Sequence, residues 1–269
     1  MKLPSFDIVG SREKAVAIIE MPEDRETAKK IAEEIMRIHK NVKTVLGKVG
    51  ERKGEFRIRD YEVIMGEEDT EVVHKEYGCF FKLDPRKVYF SPREATERQR
   101  IASLVKPGEK VLVMFSGVAP IPIIIAKKQP QVEKIYAIEL NPQAHRYAVE
   151  NVRMNKVGHK VVLICGDVRD VCPKLKEKFD RVIMPLPKSS NLFLDVAIPC
   201  LKDGGMLHFY YWGKEGGLFS EAERILKEAG RTFGREVKIV RERKVLPYAP
   251  RKWKIVLDAI FEKAKNLKN

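Results

Sequence analysis

Several features that define common protein classes are scarce or missing in this sequence of 269 residues. Its four cysteines include no C-x-x-C pair, so neither a zinc site nor a disulfide framework is expected, and buried reduced thiols are the preferred interpretation. No apolar run approaches the roughly 18 residues of a membrane-spanning helix, and the first residues lack the apolar core of a signal peptide. We therefore expect a soluble, cytoplasmic protein with no membrane contact and no metal ion. The cysteines are Cys79, Cys165, Cys172 and Cys200.

Acidic charge is also scarce in the larger part of the chain. Residues 1–91 contain 18 basic and 18 acidic residues, whereas residues 92–269 contain 34 basic and 20 acidic residues. The whole net charge of +14 therefore belongs to the second region. Such an excess attracts polyanions and favours a nucleic-acid partner over a merely charged surface. An apolar fraction of 44% excludes wholesale disorder.

The first 90 residues have the pattern of a small α/β domain. Apolar residues recur at helical spacing over residues 24–40. Phe56 alternates with Ile58 in one of the segments that have strand character. This domain carries no catalytic chemistry, and the pattern leaves open whether it grips a substrate, supports the second domain or does both. The strand-like segments are 42–49, 55–65 and 70–82.

A short, arginine-rich helix is predicted after residue 90. Ser91 fits an N-cap, Pro92 the first helical position and Glu94 the third, and the helix ends near Leu104. The guanidinium groups on this helix could clamp a carboxylate or a phosphate, or they could be solvated or paired with neighbouring glutamates. The arginines are Arg93, Arg98 and Arg100.

Strands and helices alternate in the remainder of the chain, residues 91–269, which we interpret as one domain. Alternating β and α segments predict a doubly wound sheet, and such sheets bind ligands at the carboxyl ends of their strands. Two final strands with no helix after them are typical of the methyltransferase variant of this fold. The predicted strands are Lys110–Phe115, Lys134–Leu140, Val161–Ile164, Phe179–Met184, Gly205–Tyr211, 236–244 and 253–261; the predicted helices are Pro120–Lys127, 142–156 and 218–229.

Polar or turn-forming residues stand where four of these strands end. Ser116-Gly117 follows the first, Glu139 ends the second, Asp167 follows the third and Pro185 the fourth. An acid in the second position can accept hydrogen bonds from a ribose, and an acid in the third can hold an adenine edge. The first turn has one glycine, so the dinucleotide fingerprint is not met. The pattern therefore favours a nucleoside cofactor without a pyrophosphate, such as S-adenosylmethionine.

Five motifs together resemble those of the archaeal tRNA guanine-37 N1-methyltransferase superfamily, over about residues 7–261. Two departures point to its sister group, the tRNA wybutosine-synthesising aminocarboxypropyl transferases. The methyltransferases carry a further N-terminal domain, for which this chain is too short, and an Asn-Leu-Pro sequence where Met184-Pro185-Leu186-Pro187 stands here. The motifs are Tyr89-Phe90-Ser91-Pro92-Arg93, Glu97-Arg98-Gln99-Arg100-Ile101, Phe115-Ser116-Gly117-Val118-Ala119-Pro120, Glu139-Leu140-Asn141-Pro142 and Gly166-Asp167-Val168.

The resemblance implies an activity and a set of site residues. We expect transfer of the 3-amino-3-carboxypropyl group of S-adenosylmethionine to C7 of 4-demethylwyosine at position 37 of phenylalanine tRNA, with release of methylthioadenosine. Glu139 is assigned to the ribose, Asp167 and Val168 to the adenine, and Ser91 and Arg98 to the methionine moiety. The full cofactor-binding set is Ser91, Arg98, Phe115, Ser116, Gly117, Glu139, Leu140, Asp167, Val168 and Met184. The residues expected to face the base are Met184, Pro185, Leu186 and Pro187.

The anticodon loop of the tRNA is the expected macromolecular partner, and no obligate protein partner is inferred. Loop bases are recognised by stacking on aromatic or arginine planes. Tyr210, Tyr211 and Trp212 lie near the expected site, although core packing is preferred for at least two of them. The basic residues that could contact phosphates are Arg93, Lys188, Arg241, Arg243, Lys244, Arg251, Lys252 and Lys254.

Other interpretations stay open. No residue is an evident general base, and His145 and His208 are more simply explained as structural. The nearest alternative activity is S-adenosylmethionine-dependent methylation of N1 of guanine-37 or of a carbon of a wyosine-type base. A non-catalytic RNA-binding module with an inactive cofactor pocket is a second alternative, and an NAD-dependent oxidoreductase is a remote one.

Overall fold

A computed structural model describes residues 3–54 and 58–264 of the chain, which forms two compact units. The first unit comprises Met1–Ala95, Gly117–Pro120 and Asn141–Lys156. The second comprises Thr96–Ser116, Ile121–Leu140 and Val157–Asn269. The domain boundary that we predict at residue 90 stays a prediction.

The first unit contains a four-stranded sheet in the order β1-β2-β3-β4. Helix α1 connects the parallel strands β2 and β3, and Asp24 caps it by accepting hydrogen bonds from the backbone N–H groups of Glu26 and Thr27. Its apolar face, including Ile31 and Ile35, packs on the sheet. Strands β1 and β2 were not predicted from the sequence. The elements are β1 (Phe6–Gly10), β2 (Ala15–Glu20), α1 (Arg25–Ile38), β3 (Val42–Lys53) and β4 (Ile58–Gly66).

The predicted strand-like segment 70–82 forms two strands joined by a turn. Tyr77, with φ of 48°, and Gly78 make a turn between β5 (Val72–Glu76) and β6 (Cys79–Leu83). Helix α4 (Pro142–Met154) belongs to the same unit, because Asn151 Oδ1 accepts a hydrogen bond from the backbone of Lys82 at 2.7 Å. Residues 55–57, with the predicted alternation at Phe56, lie outside the described residues.

The second unit is built around a seven-stranded sheet in the order β12-β13-β11-β10-β7-β8-β9. Neighbouring strands from β11 to β9 in this order are parallel, and β13 runs antiparallel to both β11 and β12. The elements are α2 (Ala95–Leu104), β7 (Lys110–Val113), α3 (Pro120–Lys128), β8 (Lys134–Glu139), β9 (Val161–Cys165), α5 (Val168–Val171), β10 (Phe179–Met184), α6 (Leu194–Cys200), β11 (Leu201–Lys214), α7 (Ser220–Thr232), β12 (Arg235–Ala249) and β13 (Lys252–Lys263).

This topology confirms the predicted α/β class: a Rossmann-like, doubly wound class I methyltransferase sheet whose last strand is antiparallel, preceded by a small α/β region. The central strands are buried on both faces, which explains their nearly continuous apolar runs. Their side chains form one core with α6 and α7. Fully buried members include Leu112, Val182, Leu207, Phe209 and Leu257.

Three local predictions differ from the structure. Pro92–Glu94 forms a 3-10 turn before α2, and in this described segment the Ser91 side chain makes no capping hydrogen bond to the helix. The first strand of the second unit ends at Val113, because Phe115 has a positive φ of 56°. Cys165 is exposed, whereas the other three cysteines are buried as predicted.

Candidate active site at the carboxyl edge of the sheet

The turn after β7 lies at the centre of the sheet, between β10 and β8. The backbone N–H of Met114 donates to Ile183 of β10 at 3.0 Å, and that of Ser116 donates to Ile138 of β8 at 2.9 Å. The chain therefore passes from the β10 side to the β8 side within two residues. Ligands bind at such switch points in open α/β sheets.

Ser116 is the side chain in this turn that the protein itself does not satisfy. Its hydroxyl is buried, and it is one of two buried side-chain polar atoms without a hydrogen-bond partner among the described side chains, those of residues 3–50, 54 and 58–264. A buried hydroxyl without a partner costs about 1–3 kcal/mol. A polar ligand atom placed against this turn would remove that cost.

Glu139 ends β8, beside this turn in the sheet. Its side chain and that of Leu140 are half-buried, and its carbonyl accepts a hydrogen bond of 2.9 Å from Gly166. The Gly166 contact ties the end of β8 to the loop that follows β9. The two acids that were predicted to bind a nucleoside therefore follow neighbouring strands.

Asp167 is the N-cap of the one-turn helix α5. Its Oδ1 accepts a hydrogen bond from the backbone N–H of Arg169 at 2.8 Å, and Val168 is buried beneath it. The Asp167 carboxylate thus has a structural role as a helix cap, beside the adenine contact that we predicted for it. A carboxylate accepts up to about four hydrogen bonds, so the cap leaves capacity for a ligand.

The segment after β10 follows the same edge of the sheet. Met184 and Pro187 are buried, Pro185 and Leu186 are half-buried, and Lys188 is exposed. The next residues return to the sheet, because the Ser190 hydroxyl donates to the carbonyl of Tyr210 at 2.8 Å. Pro185 and Leu186 are thus the partly exposed residues of the segment that we predicted to face the base.

An aromatic contact lies at this edge of the sheet. The rings of Phe115 and Phe193 meet edge to face with centroids 4.9 Å apart, and the Arg169 guanidinium lies 4.8 Å from the Phe193 ring. Arg169 is held by Asp195 at 3.0 Å. Sequence reasoning missed Phe193 and Arg169, because neither belongs to a recognisable motif.

Three of the predicted site residues belong to the first unit. Ser91 stands before the 3-10 turn, and Gly117 has a φ of 57°, in the region that favours glycine. Arg93 donates to Asp7 at 2.5 Å and is 46% exposed. In the second unit, Arg98 is buried on α2.

The predicted phosphate contacts are scattered along β12 and β13. Arg243 lies 3.6 Å from Glu97, whereas Arg251 lies in the turn between the two strands and Lys252 begins β13. Lys254 is buried, and its ammonium lies 4.9 Å from the ring centre of Tyr210. It therefore does not lie at the surface, where the predicted phosphate contact would require it. Arg241 lines a cavity of about 550 Å³ with residues at the amino ends of β10 and β11, such as Arg181 and Gly205.

Behind the sheet edge, the second unit contains a chain of buried ionic and polar groups that we call the buried network. Arg100 donates to Glu97 and, at 2.6 Å, to Asp258. Burial opposes the charged form of Asp258, but hydrogen bonds from His208 and Arg100 outweigh it and lower the pKa of this carboxyl. The members are Glu97, Arg100, Glu109, Arg181, His208, Tyr210 and Asp258.

His208 is structural, as preferred from the sequence. Arg181 can only donate, so the His208 Nε2 atom at 2.6 Å accepts, and Nδ1–H donates to Asp258 at 2.6 Å. Burial lowers the pKa of this fully buried imidazole, which is therefore neutral. Desolvation also lowers the pKa of His145.

Two groups of features are absent from the residues described here. Among the side chains of residues 3–50, 54 and 58–264, no group of three or more His, Cys, Asp or Glu is arranged to hold a metal ion. In the same ranges, no helix is long and apolar enough to cross a membrane.

The strand order and the polar residues at the carboxyl edge define a protein of the class I methyltransferase fold. Residues 72–240 match the model of the TRM5/TYW2 methyltransferase domain, and residues 3–70 match that of the TYW2 N-terminal domain. The chain belongs to the TRM5/TYW2 methyltransferase family, which confirms the resemblance carried by its motifs.

Three curated relatives illustrate the range of activities in this family. The tRNA (guanine(37)-N(1))-methyltransferase Trm5b of Pyrococcus abyssi is 43% identical over 94% of this chain and 74% of its own length. The tRNA(Phe) (4-demethylwyosine(37)-C(7)) aminocarboxypropyltransferase of Methanocaldococcus jannaschii is 38% identical over 78% of this chain and 82% of its own length. The tRNA 4-demethylwyosine(37)-methyltransferase Taw21 of Saccharolobus solfataricus is 34% identical over 94% of this chain and 92% of its own length.

Solved structures from this family have the same fold as this chain. The crystal structure of Trm5b from Pyrococcus abyssi superposes with a TM-score of 0.85 at 42% identity, covering 96% of this chain and 75% of that one. The structure of M. jannaschii TYW2 in complex with AdoMet superposes with a TM-score of 0.74 at 30% identity, covering 96% and 100%.

Proposed function

We propose that this protein transfers the 3-amino-3-carboxypropyl group of S-adenosylmethionine to C7 of 4-demethylwyosine at position 37 of phenylalanine tRNA. A C–S bond of the sulfonium breaks, a C–C bond to C7 forms, methylthioadenosine leaves, and C7 loses a proton. The observation that carries this proposal is the match of residues 3–70 to the TYW2 N-terminal domain, next to the matching catalytic domain. A cytoplasmic location follows as part of the same proposal.

S-adenosylmethionine is the cofactor, as membership of this methyltransferase family implies. The residues present fit it, because the unsatisfied Ser116 hydroxyl and the half-buried Glu139 stand at neighbouring strand ends. We assign Glu139 to the ribose, Asp167 and Val168 to the adenine, and Phe115 through Gly117 with Leu140 and Met184 to the pocket wall. Ser91 and Arg98 are assigned to the methionine moiety. When bound, the cofactor supplies an electrophilic carbon next to its sulfonium.

What this chain contributes is positioning. Both methyl and aminocarboxypropyl transfer are displacements, in which holding the two reactants in line provides much of the acceleration. The same adenosine pocket serves either reaction, and the orientation of the methionine moiety decides which carbon meets the base. We infer that Pro185, where the guanine-37 methyltransferases have asparagine, removes an amide that would hold a guanine edge. Met184, Leu186 and Pro187 complete the base-facing segment.

The tRNA is the second substrate. The relative from M. jannaschii carries tRNA(Phe) in its name, and another solved relative is a complex of aTrm5 with tRNALeu. A net charge of +14, concentrated after residue 91, suits this partner. The candidates for phosphate contacts are Arg93, Lys188, Arg241, Arg243, Arg251 and Lys252.

Methyl transfer is the second candidate function. The observation that favours it is the 43% identity to Trm5b, together with the match to Taw21, a methyltransferase that this chain covers to 92% of its length. Because Taw21 is of similar length, chain length does not separate the two activities. The acceptor would be N1 of guanine-37 or a carbon of 4-demethylwyosine.

One labelling experiment separates these candidates. S-adenosylmethionine is labelled either in the methyl group or in the carboxyl carbon, and the acceptors are phenylalanine tRNA with 4-demethylwyosine-37 and the same tRNA with guanine-37. Carboxyl label in the first tRNA, with methylthioadenosine released, supports the proposal. Methyl label in either tRNA overturns it in favour of methyl transfer.

A single substitution sharpens the result. Pro185→Asn restores the amide of the methyltransferases, so we expect it to weaken use of the tricyclic base and to permit methyl transfer to guanine-37. Lys188→Ala, at the exposed end of the same segment, is the matched control and should leave the choice of transferred group unchanged. If calorimetry detects no binding of S-adenosylmethionine, that result supports a purely RNA-binding module instead.

A further inference from the structure

An aromatic and basic cluster lies at the turn between β12 and β13, and we call its three members the stacking platform: Trp212, Tyr248 and Lys252. The ring centres of Trp212 and Tyr248 are 4.1 Å apart, with 41° between the ring planes. The Lys252 ammonium lies 5.5 Å from the first ring centre and 5.4 Å from the second. These contacts hold two rings and a cation together on one surface.

The platform faces solvent and does not complete the core. Tyr248 is 61% exposed, and Trp212 is half-buried. In the core described for the second unit, Tyr211 and Trp253 pack against buried residues, but Trp212 and Tyr248 are not among the side chains that do so. The aromatic pair therefore lies outside the core described for the second unit.

The position of the platform is set by the sheet. Strand β12 runs antiparallel to β13, which runs antiparallel to β11, so the end of β12 lies at the carboxyl end of β11. Ser116, Glu139 and Asp167 follow parallel strands at the same edge. The connecting turn is held by the backbone N–H of Glu215, which donates to the carbonyl of Arg251 at 3.0 Å.

The charge around the platform is strongly positive. Residues 235–254 contain eight basic and two acidic residues. A second lysine over an aromatic ring stands nearby, because the Lys244 ammonium lies 4.5 Å from the ring centre of Trp253. The side chain of Arg251 is 84% exposed and lies 3.3 Å from the carboxylate of Glu215. Aromatic rings set in a basic surface are the combination that single-stranded nucleic acids bind, by base stacking and phosphate neutralisation.

We propose that the stacking platform binds an unpaired nucleotide of the substrate RNA, with its base on the exposed face of Tyr248 and its phosphate near Lys252. This inference rests on the proposed function for the identity of the RNA, and it adds the surface that holds the loop at the catalytic edge. A double helix has no free base face to offer, so the platform selects unpaired RNA.

The test measures RNA affinity directly. An unmodified transcript of phenylalanine tRNA with a fluorescent label is titrated with the full-length protein at several salt concentrations. Tyr248→Ala should weaken binding about tenfold without changing the salt dependence, because stacking carries no charge. Tyr248→Phe keeps the ring and should bind like the wild type. Lys252→Ala should reduce the slope of log affinity against log salt by about 0.7, the value for one phosphate of a single strand.

The matched control is Tyr77→Ala, which removes a tyrosine that is 60% exposed in the first unit and should leave affinity unchanged. Equal affinities for Tyr248→Ala and Tyr77→Ala would overturn the proposal. An equal loss of affinity for a blunt RNA duplex would also overturn it, since that result would indicate a contact that does not need an unpaired base.

The outcome does not depend on which group is transferred. Calorimetry should show the same affinity for S-adenosylmethionine in the wild type and in Tyr248→Ala. If the labelling experiment fails for the wild-type protein while Tyr248→Ala still loses RNA affinity, the proposed reaction is wrong and the platform stands.

Discussion

Two sets of polar residues in the second unit behave in opposite ways. In the buried network, each charged group meets an opposite charge or a hydrogen-bond partner, as in the chain from Arg100 through Asp258 to His208. At the carboxyl edge, the Ser116 hydroxyl has no partner and Glu139 is half open to solvent. Polar groups that the fold satisfies stabilise it, whereas the buried Ser116 hydroxyl, which has no partner, is available to a ligand.

The comparison also shows that a residue in an unusual environment can be structural instead of functional. A buried histidine next to an aspartate resembles a catalytic pair, but Arg181 occupies the remaining nitrogen of His208. Perturbed protonation is therefore not sufficient to mark a site here. The buried Ser116 hydroxyl, which has no hydrogen-bond partner, is the better indicator of a ligand site.

The largest expected effect is on folding, from Arg100→Met. This change leaves Glu97 and Asp258 buried without their shared cation, so we expect the free energy of unfolding to fall by about 3–5 kcal/mol. Chemical denaturation measures it. Arg37→Met, which breaks an exposed pair with Glu34, is the control and should have no measurable effect. A loss below about 1 kcal/mol for Arg100→Met would show that the buried network is not stabilising.

The next effect is on ligand binding, from Glu139→Ala. Loss of hydrogen bonds to a charged acceptor should weaken S-adenosylmethionine binding about 30-fold, or about 2 kcal/mol, with little change in unfolding. Calorimetry gives the affinity, and Asp170→Ala, an exposed acid on α5, serves as the control. Unchanged affinity would remove Glu139 from the site.

A third prediction concerns pH. The pKa of His208 is lowered in the folded state, so the unfolded chain takes up a proton below its ordinary value of 6.5 while the folded protein does not. Stability is therefore complete above that pH and falls as the pH drops below it, by up to about 1.4 kcal/mol per pH unit. The contribution of Asp258, whose pKa is also lowered, is lost only below its ordinary value of 3.8.

His208→Gln tests this assignment, because glutamine keeps a donor and an acceptor but does not titrate. The variant should show a flatter dependence of unfolding free energy on pH between 6.5 and 5. His145→Gln, at a half-buried histidine, should flatten it less. The same slope in wild type and His208→Gln would contradict the neutral, buried assignment.

The smallest effect is expected for Ser116→Ala. Removing a buried hydroxyl without a partner should leave the free energy of unfolding unchanged or raise it by about 1 kcal/mol. The same change should weaken S-adenosylmethionine binding about fivefold, because a ligand hydrogen bond is lost. Lower stability with unchanged ligand affinity would place Ser116 with the buried network.

Much of the second unit could be predicted from local pattern. Apolar runs and prolines predicted the alternation of strands and helices, and the structure places the strand-ending residues Ser116, Glu139 and Asp167 at one edge of the sheet. Their success has a physical reason, since parallel strands buried on both faces have a distinctive composition. The first unit was predicted less well, because β1 and β2 are short and β5 and β6 are divided only by the turn at Tyr77.

By itself, the sequence determined the fold class, the concentration of positive charge after residue 91 and the residues at each strand end, since all three are local or additive properties. Tertiary structure alone decided which polar groups are satisfied. Arg100 meets Asp258 across 158 residues of chain, and Trp212 meets Tyr248 only because β13 lies between β11 and β12. Contacts between side chains far apart in the sequence depend on distances in space, and the periodicity of the sequence does not reveal those distances.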